Sequence, residues 1–329
     1  MILNFNMVLQ FYILLSYLFF ISKANELCNY NSYNKYQQLS NQYNEHKTKF
    51  DILSKIPLPI WVTDRDSNAF DNVKNALDNC NGLINIFILY ALPNKDCEAG
   101  FSSTGTNKNS QDYINYVNKL KSVVGNNEAI FIIEPDAIAL SIDNKCGIQN
   151  NYLKNIKEAI NILSENTGNG NNAKIYLDIG YWVIIYGEEE VKKVINIINE
   201  IDINNKLKGI TLNLSNYRNN NEMINACKRF KQMSGNKYNC IIDTSRNWNG
   251  PSGDNQWCNL ITAGMGELPM QNPTDSIDYY LWLKPQSELD GSCIGFSNSY
   301  QINKNAGDFD LNYLLKLWEN GNPELKKCN

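Results

Sequence analysis

Asp136 ends the run Phe131-Ile-Ile-Glu-Pro-Asp136, and its placement invites proton chemistry. Residues 129–133 are continuously apolar, as a strand buried on both faces must be. Pro135 offers no N–H to a ladder, so the strand has to stop there, and Glu134 is expected to be held extended. Asp136 then emerges at the carboxyl end of a central strand, where parallel sheets and barrels keep their chemistry. A carboxyl beside apolar neighbours can stay protonated near neutral pH and act as a general acid. Capping the next helix is the simpler role for one aspartate in this position. The other polar residues shift the balance.

Each of the other apolar runs also ends in, or is followed by, side chains that can do chemistry. Trp61 ends the first run and Tyr90 the second, with Asp96 close behind. Asp178 follows the fourth, and Asn213 and Asn216 the fifth. Asp243 and Arg246 follow the sixth, and Lys284, Glu288 and Asp290 the seventh. Trp61, Trp182, Trp248 and Trp257 fall in the same connections. Several carboxylates and few cations at one rim, with indoles between them, suit carbohydrate. Acids cleave an acetal, and aromatic faces stack on the apolar faces of sugar rings. Any one of these residues could be only a cap or a core residue; the set makes the stronger case.

The elements that must position these residues follow from hydrophobic period. Short apolar runs lie at 58–62, 84–90, 129–133, 174–177, 209–214, 239–242 and 279–283. Helical patterns fall near 66–78, 111–124, 152–164, 188–199, 222–232 and 311–320. This alternation predicts a distorted parallel β/α barrel of about seven strands, with its groove at the carboxyl-end rim. No linker or second module interrupts it, so one domain is expected over 51–329. The polar stretch 25–50 reads either as a helix packed outside or as a loosely held leader.

Composition narrows the function. A formal net charge of −4 without a basic cluster argues against nucleic acid as a partner. A single histidine, His46, argues against a His-built metal site and a Ser–His triad, leaving carboxylates to move protons. Residues 1–24 resemble a secretory signal peptide cleaved near Ala24, ranked above a retained anchor because the apolar run is short. Secretion, no stable membrane association and a monomer are expected. Nine cysteines fit an oxidising compartment, with at least one left without an intramolecular partner. The one glycosylation sequon, Asn213-Leu214-Ser215, sits where a strand should end and is expected to be unused.

Seven segments, in order, resemble glycoside hydrolase family 6, the inverting cellulases. They are Tyr90-Ala-Leu-Pro-Asn-Lys-Asp96-Cys97, Ile133-Glu-Pro-Asp136, Tyr176-Leu-Asp178-Ile-Gly180, Asn213-Leu-Ser-Asn216-Tyr217, Ile242-Asp-Thr-Ser-Arg246-Asn247, Trp257-Cys258-Asn259 and Trp282-Leu-Lys284-Pro-Gln-Ser-Glu288-Leu-Asp290-Gly291. The resemblance implies hydrolysis of β-1,4-glucosidic bonds in cellulose or related glucans, without a metal or other cofactor. Asp136 would be the general acid, Asp96 its supporting neighbour and Asp290 the proposed base. Lys284 and Glu288 would bind the sugar at the cleavage point, and Trp61 and Trp257 would stack on the glycone side. Ser102 would help to hold water, with Tyr90, Asp178 and Asn216 completing the substrate site. Cys97–Cys146 and Cys258–Cys293 match the family's two disulfides.

The sequence departs from the family in places. After the fourth strand the usual Asp-Ala-Gly-His-Ala-Gly-Trp reads Asp178-Ile-Gly-Tyr181-Trp182-Val-Ile184. Tyr181 replaces the histidine and Ile184 the leaving-group-side tryptophan, with Trp182 or Tyr186 as a substitute platform. Lys95 replaces an arginine, keeping the charge and losing the fork, and Ala91 replaces an aspartate. A short segment from Asp290 to Gly307 favours an open cleft and endo action. Cellobiohydrolase action or a non-catalytic glycan-binding relative are the alternatives.

Overall fold

The computed structural model describes residues 26–143, 145–165, 173–253 and 256–327. The expected signal peptide and Cys328 lie outside these residues. Seven parallel strands form in the predicted places: β1 (Ile60–Thr63), β2 (Asn85–Tyr90), β3 (Ala129–Ile133), β4 (Ala173–Asp178), β5 (Leu207–Leu212), β6 (Asn239–Asp243) and β8 (Ile277–Leu281). An eighth, β7 (Met270–Thr274), pairs antiparallel with β8, giving the order β1-β2-β3-β4-β5-β6-β8-β7. Its sequence, Met-Gln-Asn-Pro-Thr, lacks an apolar alternation, and Pro273 confines it to a sheet edge.

Strand alternation sorts the core into two faces. Phe87, Leu89, Phe131, Ile133, Cys240 and Ile242 pack outward against the helices. Ile86, Ile88, Ile130, Ile132, Tyr176, Ile241, Tyr279 and Leu281, from strands far apart in the sheet order, meet in one interior cluster. That meeting requires the sheet to curl round on itself. Among the described residues no ladder joins β1 to β7 or β8, so the barrel stays open. The Trp61 indole N–H reaches the Leu283 carbonyl at 3.0 Å, spanning from β1 to the segment after β8.

The polar stretch 25–50 is helical over Tyr30–Gln42 and Lys47–Leu53. Tyr36, Phe50 and Leu53 pack with Trp282, Leu314, Leu317 and Trp318, so the N-terminal helices and Leu311–Glu319 share one core. Leu58 just before β1 and Trp282 just after β8 belong to the same cluster. The remaining predicted helices form at Ala69–Asn79, Ser110–Val124, Tyr152–Ser164, Glu188–Ile201 and Asn220–Met233. Four disulfides are present: Cys28–Cys80, Cys97–Cys146, Cys227–Cys240 and Cys258–Cys293. Asn213 is buried, and its amide donates to the carbonyls of Arg218 (3.0 Å) and Asp243 (2.9 Å), leaving the sequon inside the fold.

Candidate active site

The loop after β3 corrects one expectation. Glu134 is not extended but has a φ of +47°, and Asp136 follows at +66°. Such conformations are costly for non-glycine residues and persist where surrounding bonds over-determine them. Here the Glu134 N–H donates to the Leu89 carbonyl at 2.9 Å. The Glu134 carboxylate accepts from the N–H groups of Ala91 (3.1 Å) and Leu92 (3.4 Å). The buried Glu134 therefore ties the ends of β2 and β3 together, and the bend sends Asp136 into a cavity at the carboxyl rim. Burial pushes the Glu134 carboxyl up to about 8, although the two N–H donors oppose it.

Asp136 is held from behind by its own N–H, which donates to Asp178 Oδ2 at 2.7 Å. Burial, then the charge of Asp96, pushes the Asp136 carboxyl up to about 7. Asp178 is itself raised, first by burial and then by Asp136. Asp178, expected at the substrate, lies buried and is not among the residues lining the cavity; its bond is to the backbone of Asp136. Asp96 faces the same cavity, its Oδ2 accepting the Ser102 N–H at 2.7 Å. Burial raises the Asp96 carboxyl, and the N–H groups of Ser102, Gly100 and Phe101 partly offset that. Lys95, next to it, is buried against Asp64 (2.5 Å) and the Thr104 carbonyl (2.6 Å). Asp64 also accepts the Asn107 N–H at 2.7 Å, so this ion pair fixes the loop that carries Asp96 and Ser102. Gly105 is required there, since a Cβ would come within 2.2 Å of the Asp64 carboxylate.

Asp290 has the opposite environment. Arg246 Nη2 lies 2.9 Å from its Oδ1, and Oδ2 accepts from the Asn259 N–H at 2.9 Å and from the Tyr217 hydroxyl. Burial pushes Asp290 up, but Arg246, Lys284 and Tyr217 outweigh it and hold the carboxyl below its usual range. Lys284 and Glu288 line the same cavity. Burial depresses the Lys284 ammonium despite the nearby Glu288 and Asp290.

The cavity also gathers Trp61, Tyr90, Ser102, Asn216 and Trp257 from the predicted set. Trp61 meets Tyr90 edge-on at 5.8 Å, and the Lys284 ammonium lies 5.8 Å from the indole. Trp257 packs between Phe101 (6.0 Å) and Phe296 (5.1 Å). Thr63, Arg65, Phe101 and Ser215 also line the cavity but were not foreseen. Thr63 and Arg65 close β1 as Asp136 follows β3, so the strand-end rule would have found them. Neither Trp182 nor Tyr186 lines it; Trp182 meets Tyr181 edge-on, and Ile184 is fully buried. Cys97–Cys146 fastens the loop after Asp96, and Cys258–Cys293 ties the Trp257 connection to the segment after Asp290. Among the described residues no group of three or more His, Cys, Asp or Glu side chains is placed to hold a metal, and no helix is long and apolar enough to cross a membrane.

With this geometry in hand, comparison with known proteins identifies the family. The sequence profile of Glycosyl hydrolases family 6 matches residues 22–321. The chain belongs to glycosyl hydrolase family 6. Endoglucanase A of Thermobispora bispora is 33% identical over 215 residues, which cover 65% of this chain and 45% of that protein. 1,4-β-D-glucan cellobiohydrolase C of Emericella nidulans is 27% identical over 283 residues, covering 72% of this chain and 61% of that protein. This family 6 chain thus spans about half the length of these curated relatives. Among solved structures, the GH6 enzyme of an Orpinomyces species superposes with a TM-score of 0.74 at 28% identity, over 91% of this chain and 97% of that one. The endoglucanase Cel6 of Mycobacterium tuberculosis, solved in complex with methyl-cellobiosyl-4-deoxy-4-thio-β-D-cellobioside, shares the fold with a TM-score of 0.73 at 24% identity, over 87% of this chain and 94% of that one.

Proposed function

We propose that this chain hydrolyses β-1,4-glucosidic bonds of cellulose or related β-glucans with inversion at the anomeric carbon. The observation that carries the proposal is a split between two carboxyls facing one cavity. Asp136 is pushed up to about 7 and Asp290 is held below its usual range, as an acid and a base working at one pH require. Asp136 donates its proton to the leaving glycosidic oxygen while a water attacks the opposite face of the ring, its proton accepted on the Asp290 side. Asp96 keeps Asp136 protonated and, with Ser102, orders the water. Lys284 and Glu288 hold the sugar's hydroxyls, and Trp61 and Trp257 give it apolar faces to stack on. Proton NMR of the first products from a β-linked glucan is expected to show the α-anomer. β-anomer first, or no reducing sugar from any β-glucan, would remove the proposal.

Endo action is the preferred mode, because the segment after Asp290 is short. One contact favours the alternative, a cellobiohydrolase: Gly291 lies against Phe101, so that a Cβ there would be 3.0 Å from the Phe101 ring. The Asp96 and Asp290 loops therefore touch across the cavity's edge. Viscosity loss per reducing end on a soluble glucan separates the modes, with a steep early fall expected. We also propose that residues 1–24 are a signal peptide, that the chain is secreted and that it works as a monomer.

A further inference from the structure

Glu288, one of the two residues placed at the sugar, is not left to its own segment. Its Oε1 is bonded to Lys35 Nζ, a residue 253 positions earlier in the N-terminal helix Tyr30–Gln42. The side chains are 27% and 23% exposed, so the pair is neither a surface ornament nor sealed in the core. The helix that delivers Lys35 is anchored on several sides. Cys28–Cys80 and the Cys28 N–H to the Ile84 carbonyl (2.9 Å) fix the chain just before it. Asn31, one turn before Lys35 on the same face, donates to the Pro59 carbonyl at 2.5 Å, just ahead of β1. Tyr36, fully buried, donates its hydroxyl to Gln286 Oε1 at 2.9 Å, two residues from Glu288. The helix is thus bonded both to the entry of the Trp61 strand and to the Lys284–Glu288 segment.

We propose that Lys35 is a positioning residue of the sugar site: it orients the Glu288 carboxylate and keeps it a hydrogen-bond acceptor, making the N-terminal helix a working part of the substrate groove. This deepens the hydrolase reading and rests on its placing Glu288 at the sugar. Three cations face Glu288, each from a different segment: Lys35, Lys284 and Arg65. Burial pushes the carboxyl up, and these cations together hold it below its usual range. Tyr36 on the same helix is raised, by burial first, and stays a neutral donor at working pH. A protonated Glu288 would turn one acceptor oxygen into an O–H donor toward the sugar hydroxyls and release Lys35.

The full chain carrying Asp136→Asn, which prevents turnover, allows cellotetraose affinity to be measured by calorimetry at pH 4.5 and pH 7. Adding Lys35→Met is expected to weaken binding by roughly twofold to fivefold at pH 4.5, the range for a partly exposed ion pair, and by less at pH 7. Lys35→Arg should restore most of the loss. Unchanged affinity at both pH values, or a pH-independent loss matched by a lower Tm and not rescued by arginine, would show that Lys35 only fastens the helix. In the chain with Asp136 intact, binding without turnover would remove the hydrolase reading while the Lys35 assignment stands. Absence of cellotetraose binding at both pH values would overturn the assignment together with the sugar site.

Discussion

Removing the charge of Asp96 is the sharpest test of how Asp136, the proposed acid, is kept protonated. Asp136 is pushed from the ordinary 3.8 up to about 7 by two causes, burial first and the Asp96 carboxylate second. Burial is the larger cause, and it remains when Asp96 is replaced. Replacing Asp96 should therefore lower the alkaline limb of the pH–rate profile from near 7, yet leave it above the ordinary carboxyl range. Asp96→Asn keeps an oxygen for the Ser102 N–H now accepted at 2.7 Å, whereas Asp96→Ala gives up that bond as well. Both variants should shift the limb alike, and only the alanine should also loosen the loop and lower Tm. Turnover should fall across the whole profile if Asp96 also orders the water. The assay is kcat/KM on a soluble β-glucan between pH 4 and 9, with a melting curve for each variant. An unmoved limb with near-normal turnover would refute the reasoning, and a lower Tm alone would reduce Asp96 to an anchor beside Cys97.

The other carboxyls give three further expectations. Asp136→Asn should cut hydrolysis of barley β-glucan on the order of 10²–10⁴-fold while cello-oligosaccharide binding survives; more than half of wild-type turnover would make Asp136 only a cap. Arg246→Met leaves the Asp290 carboxyl without its ion-pair partner and with only Lys284 as a nearby cation, so the acid limb should move to higher pH. Urea denaturation should show a loss of about 3–5 kcal/mol, as when one member of a buried ion pair is removed. An unmoved acid limb in that variant would disqualify Asp290 as the base. Glu134, raised to about 8 from an ordinary 4.5, contributes stability that is complete below pH 4.5 and is lost as pH rises through 8. Glu134→Gln should therefore flatten the fall in Tm between pH 5 and pH 9, and parallel curves for the two proteins would contradict that.

Local pattern determined much of this protein. An apolar run such as Ala129–Ile133, too short for a helix and stopped by Pro135, reads as a strand buried on both faces, and the 3.6-residue period of Tyr152–Ser164 reads as a packed helix. The seven parallel strands were legible for that reason, and with them the rim where Asp96, Asp136, Asp290, Trp61 and Trp257 converge, though not Trp182 or Trp248. Period says nothing where neighbours supply the burial. The edge strand Met270–Thr274, with its proline, exists only because β8 lies beside it. The polar helix Tyr30–Gln42 is held by Tyr36, a disulfide and distant carbonyls rather than by an apolar stripe of its own. Residue type and spacing alone did not separate equal side chains; the family resemblance supplied the expected roles of Asp136 and Asp290, and the contacts supply the physical reason. Asp178, Asp136 and Asp290 are the same residue at three strand ends, and their tertiary contacts set their different environments. One is buried against the Asp136 backbone, one is driven toward protonation by burial and a like charge, and one is kept ionised by Arg246. Charge state depends on what lies within a few ångströms in space, and that proximity is set by the fold rather than by position along the chain.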